Sequence, residues 1–317
     1  MRYNNDELSL VYLNYLGVSQ KKIFELLKTK KSPYLLLSKL DSFTKSILGE
    51  PRVEEIEKTS LNETLKNIDN YLEKEEIEVV TLISKNFPEG LKYVDPTVMV
   101  LYYKGDLSIA CDSSKIIGVV GTRKPTNYGR NVTEKFVREI VTKGKLITVS
   151  GLAYGIDSEV ARVSLENGGK TIAVLGGGIK NIYPSSNIAL ANKIVERGGL
   201  ILSEYYPNFR PTQYTFPERN RIISGLSDGL LVIEAGLKSG SLITANLAIE
   251  QGKELFVVPG EITNSNYAGS NKLIEDLPHT FTSSTANIFK SYKIKEQDET
   301  ESHQYTLDEQ EVINALK

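Results

Sequence analysis

Residues 115–123 read Lys-Ile-Ile-Gly-Val-Val-Gly-Thr-Arg, an uncharged run from Ile116 to Val120 closed at once by a glycine, a hydroxyl and a cation. A short, continuously apolar run of this kind is what a strand looks like when helices cover both faces of its sheet. The pattern returns at Leu146–Val149, Thr171–Leu175, Leu200–Leu202, Leu230–Ile233 and Leu255–Val258. Helix-compatible stretches such as Val132–Val141 and Ile188–Glu196 lie between these runs. Strand and helix thus alternate from Lys115 to Gly260, which predicts an α/β fold with an extended Rossmann-like, doubly wound, mostly parallel sheet.

Outward from this core the pattern changes. Leu8, Leu10, Val11, Leu13 and Leu16 precede Gly17, a helix stop, and Ile23, Phe24, Leu26 and Leu27 supply the face of a second helix before Pro33 restarts the chain. One longer helix is expected from Val53 to about Lys74. The apolar runs Ile77–Ile83 and Thr97–Tyr103 follow. The expected division is a small helical domain over 1–75, a joining segment over 76–114, the core over 115–288, and a linker with a last segment over 289–317. Asn271–Ile274 begins a further helix, and Leu307–Leu316 reads as one amphipathic helix.

The totals exclude several classes. The 317 residues carry one cysteine, Cys111, and two histidines, His279 and His303, too few for an internal disulfide or a Cys/His zinc site. No signal-peptide start or membrane-length apolar run is present, so the chain reads as soluble and cytoplasmic. The formal net charge is −2, which argues against general nucleic-acid binding, but the charge is unevenly placed. Between Lys115 and Gly260 there are 18 Lys+Arg against 12 Asp+Glu, and 20 against 28 elsewhere. A basic middle with acidic flanks can still hold an anion locally.

In a doubly wound sheet, ligands bind beyond the carboxyl ends of the strands, so the residues after each strand indicate the chemistry. Gly121-Thr122-Arg123 offers close backbone approach, a hydroxyl and a bidentate cation, and the helix after it could aim its N–H groups at a phosphate. Ser150-Gly151 follows the second strand, and Asp157 reads either as a helix cap or as a site residue. Gly176–Gly178 reads as room for a ligand or as a plain turn. Phe216 and Tyr214 offer faces for stacked bases beside Arg219, Asn220 and Arg221. Lys238-Ser239-Gly240-Ser241 opens a helix with hydroxyls and a cation. Glu204 and Glu234 are read as holding the neighbouring arginines. Neither a G-x-G-x-x-G dinucleotide fingerprint nor a Walker A loop occurs, so no cofactor and no ATP hydrolysis are expected.

Taken in order, these motifs resemble the DNA-processing protein A (DprA, or Smf) family. Tyr183-Pro184, Ser203-Glu204-Tyr205, the run from Phe216-Pro217 to Gly225-Leu226, Lys238 to Ala245 and Val258-Pro259-Gly260 complete the set over about Phe87 to Ile274. The resemblance implies a small helical, sterile-alpha-motif-like domain before the Rossmann-like one. It also implies a C-terminal winged helix, here absent or truncated to Leu307–Leu316. By resemblance the protein is not an enzyme: it binds and protects single-stranded DNA during natural transformation, forms a homodimer and loads a RecA-type recombinase. The pocket carried over from the family comprises Arg123, Phe216, Arg219, Asn220 and Arg221, with Lys238, Ser239 and Ser241 nearby.

This chain departs from the family at Tyr154, where arginine is common, and at Ala161, where histidine is common. It also departs at Leu277-Pro278, where a Gly-Ala pair is usual. Gln213 stands where a basic residue is common, which removes a cation from the pocket. Two other readings stay open: a nucleotide-derived small-molecule sensor or phosphoribohydrolase on the same sheet edge, and a scaffold acting through its helical N-terminus. The loop from Glu234 to Ser241 lacks the Pro-Gly-Gly-x-Gly-Thr pattern of such hydrolases.

Overall fold

A computed structural model of the protein describes residues 1–111 and 115–294. The segment Leu307–Leu316 lies outside the described residues. Six helices open the chain: α1 (Asn5–Tyr15), α2 (Gln20–Leu27), α3 (Pro33–Ser38), α4 (Ser42–Leu48), α5 (Glu50–Lys58) and α6 (Leu61–Lys74). Local sequence sets their starts. Asn4 and Glu7 form a reciprocal capping box on α1, while α3 begins with Pro33 behind the Ser32 cap. The single helix expected from Val53 to Lys74 is two, because Thr59 takes an extended backbone and Ser60 starts a new helix. A β-branched residue followed by serine favours such a break over continuous helix.

Eight strands form one sheet: β1 (Glu78–Thr81), β2 (Val100–Gly105), β3 (Ile116–Val120), β4 (Ile147–Ser150), β5 (Thr171–Val174), β6 (Leu200–Ser203), β7 (Gly229–Val232) and β8 (Glu254–Val257). Their order is β1-β2-β6-β5-β4-β3-β7-β8. From β6 to β8 every neighbour is parallel, whereas β2 pairs antiparallel with both β6 and β1. The architecture is the extended Rossmann-like α/β fold, and each of the six parallel strands falls within one residue of its sequence-predicted run. The segment over 76–114 does more than join: it supplies β1 and β2, which widen the sheet.

Helices α7 (Asn127–Thr142), α8 (Ile156–Glu166), α9 (Ile188–Glu196) and α13 (Ala286–Ser291) cover one face. On the other lie α10 (Thr215–Leu226), α11 (Gly240–Glu250) and α12 (Ala268–Asp276). The apolar faces of α1 to α6 join a cluster that runs onto β2, β5, β6 and α9, so the helical N-terminus shares a core with the sheet. Chain order places the site. From β3 the chain moves outward through β4, β5 and β6, then returns to the other side of β3 as β7. Loops leaving β3 and β7 diverge at this reversal, and a crevice opens beyond their carboxyl ends.

Candidate nucleic-acid interface

That crevice is a cavity of about 920 Å³, and it gathers side chains from three loops. Gly121, Thr122, Arg123 and Lys124 come from the end of β3. Phe216, Arg219 and Asn220 come from the start of α10, and Lys238, Ser239, Gly240 and Ser241 from the start of α11. Ten of the thirteen residues expected at the site therefore meet in one place.

The cations here are free. Arg123, Lys124 and Lys238 are exposed, and none of them forms an ion pair among the described residues. The Arg123 guanidinium lies over the Phe216 ring, 5.3 Å from its centroid. Phe216 is half-buried, packed on Gly176 and against Tyr183, with the two ring centroids 5.6 Å apart, and it lines the cavity. The start of α11 points its backbone donors the same way. Ser239 caps the helix, and its hydroxyl lies 2.7 Å from that of Ser241. A helix N-terminus beside an unpaired lysine is a ready anion site.

Arg219 lines the cavity but is almost wholly buried. Its Nη1 donates to the carbonyl of Gly151 at 2.8 Å and to that of Val174. Burial pushes its pKa down to about 10; the Asp157 carboxylate opposes this shift and repulsion from Arg123 adds to it. Asp157 in turn is driven up by burial, against the pull of Arg219 and of backbone donors. It accepts from the Gly151 N–H at 3.1 Å, while α8 is capped by Gly155. Asp157 is thus neither a helix cap nor a free acid; it counters the charge of Arg219, and both residues line the cavity.

Several expected roles are corrected. Arg221 does not line the cavity: its guanidinium turns to the opposite side of α10 and pairs with the buried Glu204 carboxylate. Ser150 donates to the carbonyl of Val119 at 2.8 Å inside the core, and Gly151 leaves room for the guanidinium of Arg219. Tyr214 is 69% exposed but does not line the cavity. The glycines at 176–178 make room for the protein's own Phe216 ring, Pro211 and the backbone of Tyr206-Pro207, not for a ligand.

Glu234 holds no arginine. It accepts from the Thr126 N–H at 3.2 Å and from the Thr126 hydroxyl at 2.9 Å, and Thr126 itself caps α7. The N-terminus of α7 is thereby occupied by an internal carboxylate, and the helix whose first residues line the cavity is α11. Sequence reasoning missed Lys124, although it directly follows the Gly-Thr-Arg motif and lines the cavity.

The model of the DNA recombination-mediator protein A family matches residues 78–293, from β1 through α13. The chain belongs to this family. Over 199 residues it is 44% identical to the DNA processing protein DprA of Bacillus subtilis, covering 63% of this chain and 66% of that protein. Over 205 residues it is 40% identical to the Smf protein of Escherichia coli, covering 65% and 54%. The chain therefore spans just under two thirds and about half of the lengths of these two curated relatives. An X-ray structure of DNA processing protein A from Streptococcus pneumoniae matches with a TM-score of 0.74 at 32% identity, over 92% of this chain and 98% of that one. The Helicobacter pylori DNA processing protein A, whose structure is described in terms of its single-stranded DNA binding mode, matches with a TM-score of 0.61 at 30% identity. That match covers 69% of this chain and 96% of that one.

Proposed function

We propose that the cavity at the β3/β7 reversal binds single-stranded DNA, and that the protein acts in DNA processing during natural transformation. The observation that carries this reading is the set of unpaired cations, Arg123, Lys124 and Lys238, placed around one aromatic ring and one open helix N-terminus. Cations and backbone donors suit phosphates, and a ring edge such as Phe216 suits a base; together they suit a single strand better than a duplex, whose bases are hidden. The family relationship supports the same reading.

In this proposal the protein is a cytoplasmic homodimer that binds and delivers rather than catalyses, handing its strand to a RecA-type recombinase. The helical domain over 1–75, the joining segment over 76–114 and the core over 115–288 are its working parts. The residues taken to contact DNA are Gly121, Thr122, Arg123, Phe216, Asn220, Lys238, Ser239, Gly240 and Ser241, with Lys124 added and Ser150, Gly151, Arg219 and Arg221 withdrawn.

The test is an anisotropy titration of a labelled single-stranded oligonucleotide at two salt concentrations, with duplex of equal length as competitor. Tight binding that weakens with salt and resists duplex competition is the expected result. Failure to bind at low salt, with a nucleotide instead raising the melting temperature, would move the site to the small-molecule reading.

A further inference from the structure

A second cleft, of about 500 Å³, adjoins the cavity at Arg123 and Lys124, which line both. Its other walls include Arg130, Tyr154, Ser158 and Glu159. A row of rings links the two spaces. Phe216 and Tyr183 border the cavity, Tyr154 borders the second cleft, and the Tyr183 and Tyr154 rings meet edge-on with centroids 6.2 Å apart. Both tyrosines are about half exposed, at 49% and 47%, so their outer faces are open.

Single exposed tyrosines are ordinary, and a surface arginine pair is usually only a solvated face. Continuity and charge set this cleft apart. Arg123, Lys124 and Arg130 face one carboxylate, Glu159. Glu159 stands 3.4 Å from Arg130 but 2.9 Å from Arg162, which also pairs with Glu134 and Glu166 outside the cleft. Arg130 is therefore weakly held and half exposed, and the cleft keeps a positive excess.

We propose that this cleft holds the continuation of the strand bound in the cavity, with bases on the outer faces of Tyr183 and Tyr154 and phosphates on Lys124 and Arg130. This rests on the single-stranded DNA reading of the cavity. Arg123 then sits between two successive subsites and serves both. The Arg130–Glu159 pair opens as a phosphate replaces the carboxylate, an exchange that costs little because the contact is long, Arg130 is half exposed and Glu159 keeps its closer partner Arg162.

The test uses the full chain and oligothymidylates of two lengths, about 4 and about 16 nucleotides, the shorter sized to occupy the cavity alone. Arg130 and Tyr154 line only the second cleft and Lys238 only the cavity, although Tyr154→Ala also removes the edge contact to Tyr183, so Arg130→Ala is the cleaner cleft variant. Each cleft variant is expected to bind the short oligomer like the unaltered protein and the long one about tenfold more weakly, on the order of one lost stacked base or phosphate. Arg130→Ala should also lower the salt slope for the long oligomer by about 0.7. Lys238→Ala should weaken both lengths. If the unaltered protein binds the long oligomer and the cleft variants match it, or lose equally on both lengths, the second cleft falls while the cavity stands. If the unaltered protein binds neither, both fall.

Discussion

The carboxylate of Glu204 grips the guanidinium of Arg221 through two hydrogen bonds, of 2.9 and 2.7 Å, with each side chain only 5% exposed. Arg221 Nε also donates to the carbonyl of Pro96. From the other side, Asn14 donates to the Glu204 carbonyl and Gln20 reaches its carboxylate. Helix α10, which presents Phe216 and Asn220 to the cavity, is thus pinned from behind to the N-terminal helices and to the loop before β2. Burial drives the Glu204 pKa up and Arg221 opposes it; the pair is costly to desolvate and costlier still to break.

Removing one partner leaves the other as an uncompensated buried charge. Arg221→Ala or Glu204→Ala should therefore lower unfolding free energy by about 3–5 kcal/mol in a urea melt. The double change Glu204→Leu with Arg221→Met should cost less than either single change. A double change as damaging as the sum of the singles would contradict this account of the pair.

Arg123→Ala should leave stability nearly unchanged, because its side chain is exposed and makes no ion pair among the described residues. Single-strand affinity should fall by about 1.5–3 kcal/mol, as for loss of a charge-assisted hydrogen bond. The salt slope should drop by about 0.7. Titrations at two salt concentrations read both quantities, and unaltered affinity would remove Arg123 from the interface.

Phe216→Ala should cost about 1–3 kcal/mol toward DNA, as for one stacked base. Binding of inorganic polyphosphate, which has no bases, should change far less. Equal losses on the two polymers would mean that the ring only supports Tyr183 and Arg123.

Gln213 lines the cavity and is exposed. Gln213→Lys should tighten single-strand binding and steepen its salt dependence by about 0.7 in slope, reporting one added phosphate contact. An unchanged slope would place residue 213 outside the path of the strand.

Glu234→Ala leaves the part-buried Thr126 N–H without its acceptor at the start of α7 and the Thr126 hydroxyl with Tyr267 in place of the carboxylate. A loss of about 1–3 kcal/mol in unfolding free energy is expected. DNA affinity measured well below the melting temperature should hold, because α7 does not present its N-terminus to the cavity. A loss of DNA binding with stability intact would instead place Glu234 at the interface.

Strand positions and the loops that bear the site were legible because each parallel strand is a closed apolar run whose neighbours in sequence specify it. The helix restart at Pro33 was equally local. The break at Thr59 was not, since the apolar spacing of Val53 to Lys74 continues across it and only one backbone conformation interrupts the helix. The two antiparallel strands β1 and β2 were visible as apolar runs, but the place of β2 beside β6, with β1 outside it, depends on which sheet edge remained open.

By itself the sequence determined the α/β class and the strand-terminal loops rich in glycine, hydroxyls and cations at one sheet edge. These follow from periodicity and from chemistry written within a few residues. The tertiary structure alone decided which cations face that edge. Arg219 and Arg221 are two residues apart on one helix, hence about 200° apart around its axis, and cannot both enter the same cavity. Which of them enters, and which meets Glu204, is set by how α10 lies on the sheet. In the same way, Glu234 closes the N-terminus of α7 from 108 residues away, while the first residues of α11 line the cavity. Pairings of that range arise from the order of strands, and local sequence does not contain them.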